Sequence, residues 1–371
     1  MDELYVDDAV DMIEEMPANV VRRILKYTDP AMRQTINDIL KYPSDSAGSL
    51  MTTEYVDLKE HMTVAQAFDH IRKIGVDKET IYTCYVMGKD RKLLGIVTVK
   101  DLLLSDKDAV LTDIMDTNVL FVDTLEDKEV VAQQFAKYDL LALPVVDKEH
   151  RLVGIITFDD AMDVMQEENT EDIEKMAAIL PTDKPYMRTG VFETWRKRIP
   201  WLLFLMISAT FTGMIISGFE QKLAASVVLT AFIPMLMDTG GNSGSQASVT
   251  IIRGLSLGEI EWSDTFAVIW KEIRVAVLCG AVLAAVNFGK MMLVDNLLLH
   301  NAAVTPMVAA VVCVTLVVTV FFAKIVGCTL PILAKQVGLD PAVMASPFIT
   351  TIVDALSLLV YFNIAGILLH L

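Results

Sequence analysis

The sequence predicts a multidomain protein in which a soluble α/β half precedes an all-α membrane half. An internal repeat of strands and helices lies within residues 45–165, and five long apolar segments follow residue 198. Residues 1–190 hold 38 Asp and Glu against 21 Lys and Arg, a balance of −17, whereas residues 191–371 hold 10 of each. The chain is 53% hydrophobic with a mean hydropathy of +0.46, too apolar for an ordinary soluble protein.

Residues 1–45 carry apolar positions at helical spacing, interrupted by Pro17 and Pro30. This pattern predicts two short helices. Because so few residues cannot bury a core alone, the helices must pack on another part of the chain or belong to a larger helical domain.

The internal repeat consists of two copies with matching landmarks. The first runs from Met51-Thr52 through KLLGIVTVKDLL at Lys92–Leu103. The second runs from Met115-Asp116 through RLVGIITFDDAM at Arg151–Met162. A repeat of this kind buries its apolar faces by pairing with its twin.

Each copy reads as a short strand, a helix, an apolar strand, a turn, a strand containing Gly95 or Gly154, and a final helix. This order and spacing resemble a tandem pair of CBS domains, a β-α-β regulatory module. The resemblance predicts the first domain at residues 46–112 and the second at residues 113–168.

An acidic helix is predicted after the second copy, in the stretch DDAMDVMQEENTEDIE at residues 159–174. Its acidic positions recur at steps of three and four residues, so they share one face and repel one another. The face is either a solvated surface or a binding surface for divalent cations, which would neutralise it. The acidic positions are Asp160, Asp163, Glu167, Glu171 and Glu174. A connecting helix at 169–198, broken near Pro181 and Pro185, is predicted to lead into the membrane half at 199–371.

Five membrane spans are predicted, each long enough to cross roughly 30 Å of hydrocarbon. They are Ile199–Phe219, Leu223–Ile252, Phe266–Val294, Val304–Leu333 and Pro341–Leu369. Most basic residues flank the ends that share a side with the N-terminal half, which predicts a cytosolic N-terminus and an external C-terminus in the plasma membrane. Those residues are Arg196, Lys197, Arg198, Arg253, Lys271, Arg274 and Lys335. Lys324 lies nearer the inner end of its span, where its long side chain can snorkel to the interface.

Asp354 is a carboxylate in the middle of the fifth span. A charge at that depth costs at least about 2.5–3.5 kcal/mol on insertion scales, so something must offset the cost. An ion pathway is one explanation, and an ion pair with a basic residue on another helix is the alternative. Thr350 and Ser357 fall on the same helical face as Asp354, with Ser346 one turn earlier.

The second span contains an unusually polar stretch, PMLMDTGGNSGSQASVT at Pro234–Thr250. Such a stretch must face protein or water, because lipid cannot satisfy its polar groups. Packing of small residues would explain its glycines but does not require Asp238, Asn242 and Gln246. Oxygen ligands without His or Cys suit a hard cation. One carboxylate per chain cannot strip Mg²⁺ of its waters, so a hydrated ion is predicted.

From about Asp45 to its end, the chain resembles the MgtE family of magnesium channels. The resemblance rests on ENTEDI, DTGGNSGSQ and DPAVMASPFITTIVD, in that order after the paired CBS modules. It implies a homodimer with its pore on the two-fold axis, where two copies of Asp354 face one another. Residues 1–45 resemble the tail of the helical domain that the family usually has before the CBS pair. The predicted pore residues are Asp354, Asn242, Thr350, Ser346, Gly240 and Gly241.

The resemblance also implies that Mg²⁺ regulates the channel as well as passing through it. High cytosolic Mg²⁺ would bind between the CBS domains and the connecting helix and hold that helix as a closed plug. Some members bind ATP in the CBS pair, which leaves a nucleotide open here. The acidic positions that match the family's are Asp127, Glu129, Asp139, Asp160, Asp163, Glu168, Glu171 and Asp172.

Other functions compete with magnesium transport. A transporter of another divalent cation, such as Mn²⁺ or Co²⁺, or of another solute would share this architecture. An anion pathway would favour Arg, Lys or helix N-termini, whereas these spans present a carboxylate. An intramembrane metalloprotease requires a ligand set such as HExxH, which the sequence lacks. A sensor without transport would not need Asp354 together with the polar second span. The acidic half repels nucleic acid, so the expected partners are Mg²⁺, the bilayer and a second copy.

Overall fold

A computed structural model describes residues 4–14, 16–182, 184–220, 224, 226–344 and 346–370, without the side chain of Ser346. The chain forms two compact units, Met1–Glu168 and Asn169–Leu371. The second begins close to the predicted start of the connecting helix.

The first unit opens with three short helices in its described part, where two were predicted. They are α1 (Val6–Glu14), α2 (Ala18–Tyr27) and α3 (Pro30–Ile39). The difference arises because each proline starts a helix: Pro17 is the N-cap of α2 and Pro30 the first residue of α3. Val10 and Ile36 are buried in one cluster with Phe135 and Leu143 of the second repeat copy. The N-terminal helices therefore complete the core of the second CBS domain.

Each repeat copy folds into a three-stranded sheet flanked by helices. In each sheet the first strand pairs parallel to the second, and the second pairs antiparallel to the third. The first copy contains β1 (Val56–Lys59), α5 (Val64–Ile74), β2 (Thr83–Met87), β3 (Leu93–Thr98) and α6 (Val99–Leu104), after the short α4 (Ala47–Leu50). The second contains β4 (Val122–Asp123), α8 (Lys128–Tyr138), β5 (Ala142–Val146) and β6 (Leu152–Thr157), after the short α7 (Leu111–Ile114). The fold class is thus a CBS pair, as predicted.

The repeat glycines, Gly95 and Gly154, lie where each copy contacts the other. A Cβ on Gly95 would lie 2.9 Å from Met115 Sδ, and a Cβ on Gly154 would lie 2.7 Å from Met51 Sδ. The backbones are also joined beside the contact of Gly154 with Met51, where Ile155 and Thr52 exchange two N–H···O bonds of 2.9 and 2.8 Å. The methionine that opens each copy of the repeat therefore contacts the glycine of the other copy.

The predicted connecting helix is divided in two. Residues up to Met176 belong to α9 (Phe158–Met176), whereas Val191 begins α10 (Val191–Gly218). The segment between them contains Pro181 and Pro185, and proline favours an extended residue before it over a helical one. It folds back on α10: Lys184 Nζ lies 3.0 Å from Glu193 Oε1, and Lys197 Nζ donates to the carbonyl of Pro181.

The second unit is a bundle of long helices. After α10 come α11 (Ile233–Ser256), α12 (Thr265–Lys290) with a π-helical continuation at Met291–Leu298, α13 (Pro306–Gln336) and α14 (Ser346–Leu369). A 3₁₀ turn at Pro341–Met344 precedes α14. The core includes Leu236, Val312, Leu316 and Phe362, and Tyr361 donates a 3.0 Å hydrogen bond to the carbonyl of Leu229. α13 is the most enclosed of the four apolar segments that could cross a membrane.

Four helical segments in the described residues are long and apolar enough to cross a membrane: Val191–Gly218, Trp262–Leu298, Pro306–Gln336 and Pro341–Leu369. They overlap the first, third, fourth and fifth predicted spans. α11 has 24 residues, but its polar stretch keeps it outside that set. Its place as a fifth span stays a prediction, and Leu223, the predicted first residue of that span, lies outside the described part of the chain.

Close packing of α11 against α13 and α14 depends on glycine. A Cβ on Gly240 would lie 2.9 Å from Ser357 Oγ, and one on Gly244 would lie 2.9 Å from Ile349 Cγ2. A Cβ on Gly327 would collide with the backbone carbonyl of Gly244. The glycines thus let the helix backbones approach, as small residues do between membrane helices.

We expect Gly327→Ala to destabilise the membrane unit by about 1–3 kcal/mol, the usual cost of overpacking. The new methyl group would strike backbone, which cannot move aside as a side chain can. Thermal unfolding of the detergent-solubilised chain measures the change. Gly289→Ala is the matched control, because a Cβ at Gly289 meets nothing within 4 Å. Equal stability of the two variants would contradict the packing described.

Candidate functional site

The helix α11 has two faces of different character. Its glycines lie buried against α13 and α14, whereas Asp238, Asn242 and Gln246 are exposed on another face at steps of four residues. Asn242 Nδ2 donates to Asp238 Oδ1 over 3.1 Å. The packing explanation therefore accounts for the buried glycines, whereas the pathway explanation for the polar residues stays a prediction. The predicted pore role of Gly240 and Gly241 stays a prediction.

Asp354 lies half-buried on α14, within electrostatic range of Asp238. The described residues form no salt bridge with Asp354, so the structure does not support the alternative of an ion pair with Lys or Arg. The sequence predicted one carboxylate per chain at this place, and in the structure the charge of Asp238 also acts on Asp354. The signal for Asp238 was its position one helical turn before Asn242.

The hydroxyl groups predicted beside Asp354 are engaged within their own helix. Thr350 Oγ1 donates to the carbonyl of Pro347 over 3.0 Å, and the buried Ser357 Oγ donates to that of Val353 over 2.6 Å. Each oxygen keeps lone pairs for a water molecule or an ion. The side chain of Ser346 lies outside the described part of the chain.

Two open clefts follow the polar face of α11. One, of about 600 Å³, is lined by Asp238, Asn242 and Gln246 together with Leu278 and Val282 of α12. The other, of about 630 Å³, continues from Asn242 and Gln246 towards Thr250. The polar residues are thus reachable along much of the helix.

A second charged pair in the membrane unit was not predicted from the sequence. Lys324 Nζ of α13 lies 3.4 Å from Glu272 Oε2 of α12, and the two side chains are only 6% and 11% exposed. Lys324 therefore does not snorkel to the interface. The available signal was one acidic and one basic residue, each near the inner end of a neighbouring span.

Three of the predicted regulatory residues, Asp127, Asp139 and Asp163, are exposed. Asp127 is the N-cap of α8 and accepts a 2.8 Å hydrogen bond from the Glu129 amide. Asp139 ends the same helix in the left-handed conformation with φ 51°. These two carboxylates therefore stand at opposite ends of α8.

Asp160 lies among acidic residues that the sequence did not connect to it. Burial, followed by the charge of Asp160, raises the pKa of Asp7 to about 7 and that of Asp11 to about 6. Burial, followed by the charges of Asp7 and Asp160, raises the pKa of Glu79 to about 8. Burial also raises the pKa of Asp160 itself. The cluster thus favours protons over bare negative charge.

The remaining regulatory candidates already have partners. Lys128 Nζ lies 3.7 Å from Glu168 Oε1, and Lys175 pairs with Glu171. Asp172 Oδ2 accepts a 3.1 Å hydrogen bond from Ser256 Oγ. Among the described residues no group of three or more His, Cys, Asp or Glu side chains is arranged to hold a metal ion. The regulatory role of these residues stays a prediction.

Comparison with known families matches most of the chain. The family MgtE, described as a divalent cation transporter, matches residues 233–364. The MgtE intracellular N domain matches residues 1–45, and the CBS domain matches residues 47–108 and 111–167.

Individual relatives extend over nearly the whole chain. The magnesium transporter MgtE of Thermus thermophilus is 38% identical over 363 residues, covering 98% of this chain and 79% of that protein. The magnesium transporter MgtE of Bacillus subtilis is 34% identical over 371 residues, covering 100% and 80%. A crystal structure of the cytosolic domain of the Mg²⁺ channel MgtE in complex with ATP is 40% identical, covers 44% of this chain and 67% of that one, and has a TM-score of 0.43.

We expect Lys324→Met to destabilise the membrane unit by about 3–5 kcal/mol, because it leaves the Glu272 carboxylate buried without its partner. Lys324→Met combined with Glu272→Gln removes both charges and should recover most of the loss. Thermal unfolding in detergent measures both. If the double variant is no more stable than the single one, the ion pair does not account for the effect.

Proposed function

This chain belongs to the MgtE family of divalent cation transporters, and from that premise we propose that it admits Mg²⁺ through a pathway beside Asp354. The observation that carries the proposal is the packing of α11 against α14, which brings Gly240 against Ser357 and Gly241 against Thr350 and lets the charge of Asp238 act on Asp354. Two carboxylates that have no basic partner among the described residues favour a cation or a proton beside them. The membrane unit therefore attracts positive ions at this place.

The ion is proposed to stay hydrated. The side chains assigned to the pathway, Asp238, Asn242 and Thr350, offer carboxylate, amide and hydroxyl oxygens. Cys279 also lines the cleft beside Asp238. Mg²⁺ loses its waters reluctantly and demands near-octahedral geometry. Contacts through the water shell suit such a loose set of oxygens better than direct coordination does.

A second copy of the chain is proposed to complete the pathway. The face with Asp238, Asn242 and Gln246 is exposed on a protomer, and lipid cannot satisfy such groups. Pairing two protomers along this face would enclose the two clefts between proteins and bring two copies of Asp354 to one axis. The same pairing would multiply the negative charge that binds the ion.

Regulation by cytosolic Mg²⁺ is proposed to act on the acidic first unit. Residues 1–190 carry a balance of −17, which repels itself unless cations screen it. Mg²⁺ bound at Asp127, Glu129, Asp139, Asp160, Asp163 and Glu168 of the second CBS domain, and at Glu171 and Asp172 of the connecting helix, would favour a compact arrangement. Low Mg²⁺ would release that arrangement and open the pathway, as a population shift.

Asp354→Asn should reduce Mg²⁺ uptake into proteoliposomes to the level of protein-free vesicles, because it removes the charge while keeping the shape. A Mg²⁺-sensitive dye inside the vesicles measures uptake. Asp264→Asn is the control, since Asp264 lies in the turn before α12, outside the proposed pathway. Uptake by Asp354→Asn at the wild-type rate would remove this residue from the pathway. Faster uptake of Mn²⁺ or Co²⁺ than of Mg²⁺ by the wild-type chain would favour the alternative cation.

Replacing Asp127, Asp139 and Asp163 together by Asn should raise, several-fold, the Mg²⁺ concentration that halves uptake, since a coupling of 1–3 kcal/mol corresponds to roughly 5–150-fold. Asparagine can still cap α8 at position 127 and tolerates positive φ at position 139. The control replaces three exposed residues of the first CBS domain, Asp77, Asp106 and Asp108, with the same change of charge. Equal shifts in the two triple variants would indicate general screening and contradict binding at the named residues.

A further inference from the structure

The last turns of α9 carry a compact group of charges within the second unit. Lys175 Nζ lies 2.5 Å from Asp340 Oδ2 and also pairs with Glu171. Glu171 is on α9, but Asp340 is 165 residues away from Lys175 along the chain. The lysine therefore joins the connecting helix to a distant segment.

Asp340 leads directly into the helix that carries Asp354. Its Oδ1 accepts a 2.8 Å hydrogen bond from the Ala342 amide and so caps the 3₁₀ turn at Pro341–Met344. α14 starts two residues after that turn. A displacement of Asp340 would therefore be passed to the cytosolic end of α14, the proposed pathway helix.

The same part of α9 also contacts α11. Asp172 Oδ2 accepts a 3.1 Å hydrogen bond from Ser256 Oγ at the last residue of α11. Met176 packs against Ile252 and Ala342 in a small apolar cluster. The end of α9 consequently contacts α11 and the segment that leads into α14. These are the two helices that supply the polar groups of the proposed pathway.

The carboxylates of this group need the positive charge of Lys175 to offset their mutual repulsion. Burial raises the pKa of Asp172, and the charges of Asp340 and Glu171 raise it further. Burial opposes the charge of Lys175, but its bonds to Asp340 and Glu171 outweigh that effect and raise its pKa, so it remains an ammonium. Without this ammonium, three carboxylates would repel where α9 meets the membrane helices.

We propose that Lys175 is a positioning residue that fastens α9 to α11 and α14. This inference rests on the proposed function, because it explains how binding of Mg²⁺ in the acidic unit reaches the pathway. With the ion pairs in place, the end of α9 and the cytosolic ends of α11 and α14 move together. Without them, the first unit still binds Mg²⁺ but closes the pathway less effectively.

An incidental surface ion pair is the alternative. Exposed pairs contribute little, with a median of about 0–1 kcal/mol. Lys175 is only 24% exposed and bridges two separate segments, whereas Lys184 pairs with Glu193 nine residues away and is 60% exposed. Lys184→Gln therefore serves as the matched control: it removes the same charge from the same connecting region without a long-range bridge.

The test uses the full chain in proteoliposomes with two measurements at rising Mg²⁺. One is uptake, and the other is protection of residues 1–168 from limited proteolysis. We expect Lys175→Gln to raise the Mg²⁺ concentration that halves uptake by at least about fivefold, with protection unchanged. Lys175→Arg and Lys184→Gln should behave as the wild type. Asp340→Asn, which keeps the oxygen that caps the 3₁₀ turn, should weaken closing as Lys175→Gln does.

Wild-type closing in Lys175→Gln would overturn the proposal, and so would wild-type closing in Asp340→Asn. If Lys175→Gln is not recovered folded, Asp340→Asn and Lys175→Arg carry the test: weakened closing in Asp340→Asn with normal closing in Lys175→Arg supports the proposal, and any other result overturns it. A wild-type chain without Mg²⁺ uptake would instead refute the proposed function.

Discussion

The cost of placing charge in a membrane governs the second unit. Two pairs of ionisable side chains meet that cost in opposite ways. Glu272 and Lys324 have opposite signs and neutralise one another inside the bundle. Asp238 and Asp354 have the same sign and lie within range of each other. Among the described residues no basic side chain pairs with Asp238 or Asp354, an arrangement that favours a cation or a proton beside them. The first pair stabilises the bundle, and the second is where we propose that the ion passes.

The helix α11 shows why these roles were only partly predictable. Its sequence indicated both tight packing and a polar lining, and four-residue spacing already grouped Asp238, Asn242 and Gln246. Which face would meet neighbouring helices depended on contacts from α13 and α14, such as that of Gly327 with Gly244. Those contacts come from residues far away in the chain. The spacing predicted the faces, but only packing could assign them.

The soluble unit was more predictable because its folding signals are local and repeated. Strand and helix patterns, together with the landmarks at Gly95 and Gly154, sufficed for the CBS pair. The sequence did not show that α1 and α3 would cover the second domain, bringing Asp7 and Asp11 near Asp160. Apolar spacing in a short helix predicts that one face is buried, but it does not identify the residues that cover that face.

Pairing with lysine separates the acidic candidates into two kinds, a division that residue order alone conceals. Asp127, Asp139 and Asp163 are exposed, so a cation can approach them directly. Glu168 and Glu171 each pair with a tethered ammonium, on Lys128 and Lys175. A divalent ion that binds Glu168 or Glu171 must displace a lysine of the same chain. The high effective concentration of that tethered lysine opposes the exchange. In the regulation proposed above, the groups most accessible to Mg²⁺ are therefore those on the CBS side, whereas the carboxylates at the end of α9 are already paired with a lysine of the chain.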